Sequence, residues 1–307
     1  MNPTDGRLNA RRFEHRRSAA EDGVRWPGGA ALALSVVLNI EEGAELSVAD
    51  GDATNEAVHE ITHRVDGAPD FCMGTHFEFG ARVGHLRVMQ RFVERGLALT
   101  LNVCGRALQR TPWVAEQART QGFELCGHGW QWLSPVHLDE AAEREAIART
   151  AALIAQLGGR APSGWHCKGT RSAATRRLLR EHGGFVYDSD DYGDETPWLL
   201  DCRDGRRPHV VLPYGFDCND MRFFDHGGFV RAADFAGYVI DSIESLRRER
   251  PARPRLLTIG LHSRIIGRPG RIGGLDAVLD HVQRLPGEVA VMTREAVARH
   301  WLDALHP

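Results

Sequence analysis

The sequence predicts an α/β barrel in which parallel strands alternate with helices. Short apolar runs alternate with amphipathic helical segments along most of the chain, and about seven or more such units indicate a barrel. A length of 307 residues is compatible with a barrel that forms one unit. Several apolar runs also end in polar or ionisable residues, and strand ends are where such barrels carry their functional groups.

The N-terminal segment differs in composition from the rest of the chain. Residues 1–25 are rich in charge and carry little periodic pattern, so we expect an N-terminal arm, disordered or laid across the body or a neighbouring subunit. Residues 26–307 are then one barrel domain. Within it, residues 43–69 are rich in Gly and Asp and too long for a simple barrel turn, which predicts a functional or oligomer-contact excursion.

Strands are predicted from apolar runs and helices from apolar residues spaced three or four apart. The predicted strands are 31–40, 97–103, 123–126, 185–187, 209–212, 256–262 and 289–292. The predicted helices are one that includes 86–93, followed by 112–121, 139–157, 173–182, 233–250, 274–284 and 294–305. Pro112, Ser172 and Gly183 mark helix ends.

Composition narrows the class of protein. The chain is 42% hydrophobic and 26% charged, and its net charge of −3 gives no reason to expect nucleic acid or an anionic membrane as a partner. No apolar run approaches the roughly 20 residues that span a bilayer, and residues 1–25 lack the apolar segment of a secretory signal. Six cysteines without a CxxC pair predict neither a disulfide framework nor a structural zinc site. We expect a cytoplasmic protein.

Four strand-like runs end in polar or ionisable side chains, which predicts a shared rim. These side chains are Glu41 and Glu42, His128, Asp188 with the acidic residues after it, and His262. Adjacent carboxylates at a strand end repel each other, so one of the two glutamates is expected to have a raised pKa unless a cation lies nearby.

The chain carries an ordered set of motifs: Trp26-Pro-Gly-Gly29, Val37-Leu-Asn-Ile-Glu-Glu-Gly43, Glu78-Phe-Gly-Ala-Arg82, His128-Gly-Trp-Gln-Trp132, Tyr187-Asp-Ser-Asp-Asp191, Asn219-Asp-Met-Arg-Phe223 and Gly260-Leu-His-Ser-Arg-Ile-Ile-Gly-Arg-Pro-Gly-Arg271. The set resembles the motifs of the polysaccharide deacetylase superfamily, and within it the branch of bacterial allantoinases and cyclic imide hydrolases. The resemblance implies a distorted (β/α) TIM-like barrel, hydrolysis of a non-peptide C–N bond in a small amide, ureide or cyclic imide, and a homotetramer.

The resemblance also bears on metal binding. The superfamily's first motif, Thr-Phe-Asp-Asp, supplies a base and a metal ligand, and here the positions hold Asn39 to Glu42. Its metal enzymes carry two histidines one helical turn apart, whereas this chain has His128 and then Trp132, whose indole cannot ligate. A catalytic zinc site needs three protein ligands, and the motifs offer Glu42 and His128. Metal-free catalysis without a cofactor is therefore favoured, with zinc as the alternative.

Two stretches depart from the allantoinase pattern. Gly74 stands where those enzymes carry an acidic residue, and Thr75 and His76 follow it. The stretch 164–171 has one residue extra, which brings His166, Cys167 and Lys168 to a strand end. These three groups line the pocket or set a new substrate preference. A further alternative is that His76, His166 or Cys167 replaces the lost ligand and restores a metal site.

Amide or imide hydrolysis needs an activated water, a stabilised oxyanion and a proton for the leaving nitrogen. We assign Glu41 or Glu42 as the base on water and His128 as a polariser or proton carrier. His262 is assigned as the acid that protonates the nitrogen. The predicted substrate-binding residues are Trp132, Trp165, His166, Arg264, Arg268 and His76; the tryptophans suit a flat heterocycle or pack in the core, and the arginines can hold a carbonyl or carboxylate.

Three functions remain open from the sequence. The favoured one is metal-independent opening of a small cyclic ureide or imide. The second is metal-dependent deacetylation of an N-acetylated sugar, and the third is an inactive relative that binds a small ligand. In each case the expected partner is a small molecule, and the resemblance adds the other subunits of a homotetramer.

Overall fold

The computed structural model describes residues 7–13, 18–200, 205, 207–249 and 253–305. Within these residues one sheet has nine strands, in the order β6-β7-β5-β4-β3-β2-β1-β8, and β9 pairs with β1. The strands are β1 Leu32–Ile40, β2 Thr100–Val103, β3 Glu124–Gly127, β4 Gly164–Trp165, β5 Tyr187–Asp188, β6 Trp198–Leu199, β7 Val210–Val211, β8 Arg255–His262 and β9 Val289–Val291.

Helices pack around the sheet. They are Ala19–Gly23, Phe71–Phe79, His85–Arg95, Gly105–Arg110, Trp113–Gln121, Glu140–Gly158, Thr175–His182, Ala232–Arg248, Ser263–Ile266, Pro269–Gln283 and Arg294–Leu305. A single π-helical turn, Gly80–Gly84, joins the second and third of these. No helix in the described ranges has the length and apolar character needed to cross a membrane.

The sheet curls into the predicted distorted barrel. All strand pairs are parallel except β6 with β7. The segment after β7 closes the curl against β8: the Gly260 amide donates to the Cys218 carbonyl at 3.1 Å, and the Thr258 hydroxyl donates to the Pro213 carbonyl at 3.0 Å. Every residue of β1 is buried, as expected for a strand that pairs on both sides within a parallel sheet.

Arg294 ties the barrel together from inside. Its buried guanidinium donates to Ser189 Oγ at 2.8 Å, to Thr258 Oγ1 at 2.7 Å, and to the Leu212 and Pro213 carbonyls at 2.8 and 3.0 Å. These acceptors come from three parts of the sheet, so the side chain holds the closing segment against β8. The closure fixes where residues 214–221 meet the ends of the strands.

Parts of the predicted arm contact the barrel. Leu8 is buried in a cluster with Trp198 and Val211, and the Asn9 amide donates to the Ala173 carbonyl at 2.8 Å. Ser18 caps the short helix Ala19–Gly23 by accepting the Glu21 amide at 3.1 Å. Residues 1–6 and 14–17 of the arm lie outside the described residues, as does the cysteine at position 202.

Candidate active site

A cavity of about 250 Å³ opens at the carboxyl ends of the strands. This volume is near the lower end of the roughly 300–1,000 Å³ that is usual for small-molecule pockets, so the cavity suits a small ligand. The ionisable and aromatic side chains that line it are Glu41, His59, His128, Trp132, His166, Cys167, Lys168, Tyr192, Tyr214, Phe216 and His262. The cavity therefore brings the predicted catalytic residues Glu41, His128 and His262 together.

Glu41 lies at the centre of the site, directly after β1. Its Oε1 is 3.4 Å from His128 Nε2 and 3.5 Å from His262 Nε2, and its Oε2 accepts from Arg264 Nη1 at 2.8 Å. Burial by itself raises the pKa of Glu41, but His262 and Arg264, together with the imidazole contacts, hold that pKa well below its usual range. Glu41 is thus ionised at neutral pH, as a general base must be.

His262 is paired with Asp220. Asp220 Oδ1 accepts from His262 Nδ1 at 2.6 Å, and its Oδ2 accepts the backbone amides of His262 and Ile266 at 2.8 and 3.1 Å. Burial lowers the pKa of His262, but the anions Glu41 and Asp220 outweigh burial and raise it to about 10. His262 is therefore an imidazolium at neutral pH, with Nε2–H directed at Glu41.

His128 is oriented by a backbone carbonyl. Its Nδ1 is 2.8 Å from the His166 carbonyl oxygen, which can only accept, so Nδ1 carries a proton and Nε2 faces Glu41. The imidazole rings of His128 and His166 stack with their centroids 5.1 Å apart, and His166 Nδ1 contacts Asp190 Oδ1 at 3.1 Å. Burial lowers the pKa of His166, so this ring is neutral at pH 7.

Glu42 lies behind the cavity. Its Oε1 accepts the Arg264 backbone amide at 3.1 Å, and its Oε2 is 3.7 Å from His85 Nε2. Burial raises the pKa of Glu42 to about 7, against the opposing effect of Arg264. A Cβ at Gly80 would lie 2.4 Å from Glu42 Oε1, so only glycine fits there. The pKa of one of the adjacent carboxylates is thus raised, but chiefly by burial and only to a lesser extent by repulsion from its neighbour. Glu41 is the one that faces the cavity.

Arg264 supports the carboxylates instead of lining the cavity. The guanidinium is fully buried, donates from Nε to Glu60 Oε1 at 2.9 Å in addition to its bond with Glu41, and lies 4.6 Å from the Phe77 ring. Burial raises the pKa of Glu60, but His76 and Arg264 lower it to about 2. A buried carboxylate pair needs such a compensating cation, which explains why the arginine lies behind Glu41 and does not face a substrate.

The other predicted substrate-binding residues divide into two groups. Trp132 and His166 line the cavity. Trp165 packs edge-to-face on Phe185 in a core cluster, and Arg268 lies 3.6 Å over the Phe79 ring and donates to His76 Nδ1 at 3.0 Å. Trp165, Arg268 and His76 therefore lie outside the cavity lining: Phe185 holds Trp165, Phe79 holds Arg268, and Arg268 and Glu60 hold His76.

Asp220 and Glu60 were not among the predicted site residues. Asp220 lies in the motif 219–223, which carries the resemblance but gives no sign of its partner. Glu60 belongs to the excursion 43–69, which also provides Ala57, Val58 and His59 to the cavity lining. The segment 43–69 therefore contributes to the lining of the cavity.

The donor groups do not fit a zinc site. In the described part of the chain, no group of three His, Cys, Asp or Glu side chains is arranged to hold a metal ion. Glu42 contacts Arg264 and His85, whereas His128 Nε2 faces Glu41, so the two predicted ligands point to different partners. Trp132 packs against Phe77 and Lys168. The guanidinium of Arg264 already supplies the cation that the carboxylates need.

Comparisons with known proteins agree with this architecture. The polysaccharide deacetylase family model matches residues 68–185. A Schizosaccharomyces pombe protein with the provisional name polysaccharide deacetylase is 30% identical over 303 residues, which is 92% of this chain and 93% of the relative.

Two solved structures are similar over nearly the whole chain. One, from Pseudomonas aeruginosa PAO1 and provisionally assigned as a polysaccharide deacetylase, is 38% identical with a TM-score of 0.86, covering 91% of this chain and 93% of its own. The PuuE allantoinase is 35% identical with a TM-score of 0.85, and the match covers 94% of this chain and 98% of the allantoinase chain. The chain therefore belongs to the polysaccharide deacetylase family, and it is a hydrolase that acts on carbon–nitrogen bonds.

Proposed function

We propose that the protein opens a small cyclic ureide or imide by hydrolysis and uses its own side chains in place of a metal ion. The observation that carries the proposal is that the two candidate metal ligands have other partners: Glu42 accepts the Arg264 backbone amide at 3.1 Å and lies 3.7 Å from His85, whereas His128 Nε2 faces Glu41. The similarity to the PuuE allantoinase, whose name identifies a ureide as its substrate, supports the same substrate class.

The reaction requires two proton transfers. Glu41 Oε1 accepts a proton from a water molecule as the water oxygen bonds to the ring carbonyl carbon. His262 then donates its Nε2 proton to the ring nitrogen as the C–N bond breaks. The proton held by Glu41 returns to His262 across their 3.5 Å contact, which restores both groups. His128 Nε2 lies 3.4 Å from Glu41 on the other side, where the imidazole helps to hold the carboxylate in place.

The electrostatics of Glu41 favour an activated substrate. A carboxylate with a lowered pKa stays ionised but is a weak base, so the leaving nitrogen must depart easily. The nitrogen of an imide or ureide is conjugated with a second carbonyl and leaves more readily than the nitrogen of an acetamide. A cavity of about 250 Å³ also suits one small ring better than a sugar polymer.

The test uses purified protein whose metal content has been measured before and after treatment with a chelator. Ring opening of succinimide, hydantoin and allantoin is compared with deacetylation of N-acetylglucosamine oligomers. We expect ring opening that survives chelation and that Glu41→Gln and His262→Ala each abolish, while circular dichroism shows a native fold. Zinc-dependent deacetylation without ring opening would support the sugar deacetylase instead. Ligand binding without turnover would support an inactive relative.

The homotetramer remains a proposal that follows from the resemblance. Light scattering of the purified protein tests it directly, and a monomeric mass would contradict it.

A further inference from the structure

One wall of the catalytic cavity is a continuous row of aromatic rings. The row begins at His128, continues through His166, Tyr214 and Tyr192, and ends at Phe216, and all five side chains line the cavity. Successive ring centroids are 5.1, 4.5, 6.2 and 4.3 Å apart. The row therefore connects a catalytic histidine with the exterior.

The row is held in place by hydrogen bonds at the ring edges. His166 contacts Asp190 at 3.1 Å, Tyr214 accepts from the Asn39 amide at 3.4 Å, and the Tyr192 hydroxyl donates to the Gly169 carbonyl at 3.1 Å. Rings fixed in this way lose little freedom when a ligand binds.

The outer end of the row is exposed. Phe216 is 60% exposed although it stacks on Tyr192 at an interplanar angle of 8°. An exposed aromatic side chain at the mouth of a cavity contributes little to the core, and it offers one free face to a ligand.

The inner rings restrict what can bind beside them. Because His166 stacks on His128 with one face and on Tyr214 with the other, the cavity meets the edge of the His166 ring. Ring edges carry partial positive charge and attract the negative face of a flat π-system. The lysine that lines the cavity is less available to a ligand, since Lys168 is paired with Glu56 at 2.9 Å and bonds the Trp132 carbonyl at 3.1 Å.

We infer that the preferred substrate carries an aromatic substituent beside the ring that is opened, and that this substituent lies along the row from His128 to Phe216. The inference rests on the proposed function and makes it more specific: the substrate class is an aryl-substituted cyclic imide or ureide. An anionic substituent fits this wall less well because the charge of Lys168 is already balanced.

The experiment compares kcat/KM for hydantoin and 5-phenylhydantoin in the wild type and in two single variants. We expect the wild type to prefer the phenyl compound and Phe216→Ala to reduce that preference about fivefold, since one aromatic contact is worth roughly two- to tenfold in affinity. Phe71→Ala is the matched control, because Phe71 is 76% exposed and lies outside the cavity lining. It should leave the preference unchanged.

The outcomes separate this inference from the proposed function. The inference would be overturned if the wild type opened hydantoin as efficiently as 5-phenylhydantoin. It would also be overturned if Phe216→Ala kept the wild-type preference for the phenyl compound. Neither result would contradict ring opening itself. An equal loss on both substrates would show that Phe216 supports the site without contacting the substituent, which also overturns it. No turnover of either compound by the wild type would refute the proposed function and this inference with it.

Discussion

Asp220→Asn isolates the contribution of the carboxylate behind the catalytic imidazolium. The side chain accepts three hydrogen bonds, from His262 Nδ1 at 2.6 Å and from the backbone amides of His262 and Ile266. An asparagine has one oxygen and one NH₂ group. If the oxygen keeps the two backbone amides, the NH₂ group faces Nδ1 and forces His262 into the tautomer with its proton on Nε2 alone.

The size of the effect follows from these contacts. Losing a charge-assisted hydrogen bond costs about 1.5–3 kcal/mol of stability, which a barrel of this size tolerates. General acid catalysis is worth about 10²–10⁴ in rate, so kcat/KM should fall by a factor in that range. Because Asp220 is one of the two anions that raise the pKa of His262 to about 10, the variant's pKa should move toward the ordinary value.

The assay is kcat/KM for ring opening between pH 6 and 11, corrected for hydrolysis by hydroxide. The acid form of His262 is present below its pKa, so the wild-type activity should fall as pH rises through about 10, and the variant's should fall at lower pH. Asp225→Asn, an exposed neighbour on the same segment, is the control and should match the wild type. Wild-type kcat/KM with an unchanged alkaline limb in Asp220→Asn would refute the role of His262 as the acid.

Three further changes test the buried support of the site. The melting temperature of Glu42→Gln should rise relative to that of the wild type as pH increases from 5 to 8. The reason is that the protonated Glu42 carboxyl, whose pKa is raised to about 7, stabilises the wild type at low pH, and this stabilisation is lost across that window. An equal difference in melting temperature at every pH would contradict this. Gly80→Ala should lower the free energy of unfolding by about 1–3 kcal/mol, since its Cβ would lie 2.4 Å from Glu42. The control, Gly74→Ala, has open space at its Cβ and should be neutral or stabilising in denaturant titrations. Arg264→Lys loses the planar fork that joins Glu41 to Glu60, so the pKa of Glu41 should rise and the acid limb of the kcat/KM profile should move to higher pH; an unmoved limb would count against it.

The sequence predicts the fold best where a pattern is long and regular. The closing helix lies at 294–305 as predicted, and the strand predicted at 256–262 extends one residue earlier, to Arg255. The helix Phe71–Phe79 was missed because its apolar residues do not follow one face: Phe71 is exposed while Met73 and Phe77 are buried. Pro269 begins a helix that was predicted from Gly274, since the glycines in its first turns weaken the helical pattern.

The candidate site was predictable only in part. Residues that follow strands directly, such as Glu41, His128 and His262, could be placed at one rim from the order of the elements alone. Their partners come from loops whose paths depend on tertiary packing, so neither Asp220 nor Glu60 could be assigned from spacing. Which of the two adjacent glutamates faces the cavity is likewise set by contacts far away in sequence.

Arg264 links the electrostatics of the site to the choice of substrate. Its guanidinium compensates Glu41 and Glu60, and Glu42, with a pKa of about 7, adds only part of a charge at neutral pH. As a consequence, the pKa of the base Glu41 is low, and this carboxylate cannot by itself drive attack on an unactivated amide. A metal-dependent relative overcomes this limit by polarising the carbonyl. This chain has a guanidinium behind its carboxylate and an imidazolium in front of it, so its chemistry depends on a substrate whose nitrogen leaves easily once His262 protonates it.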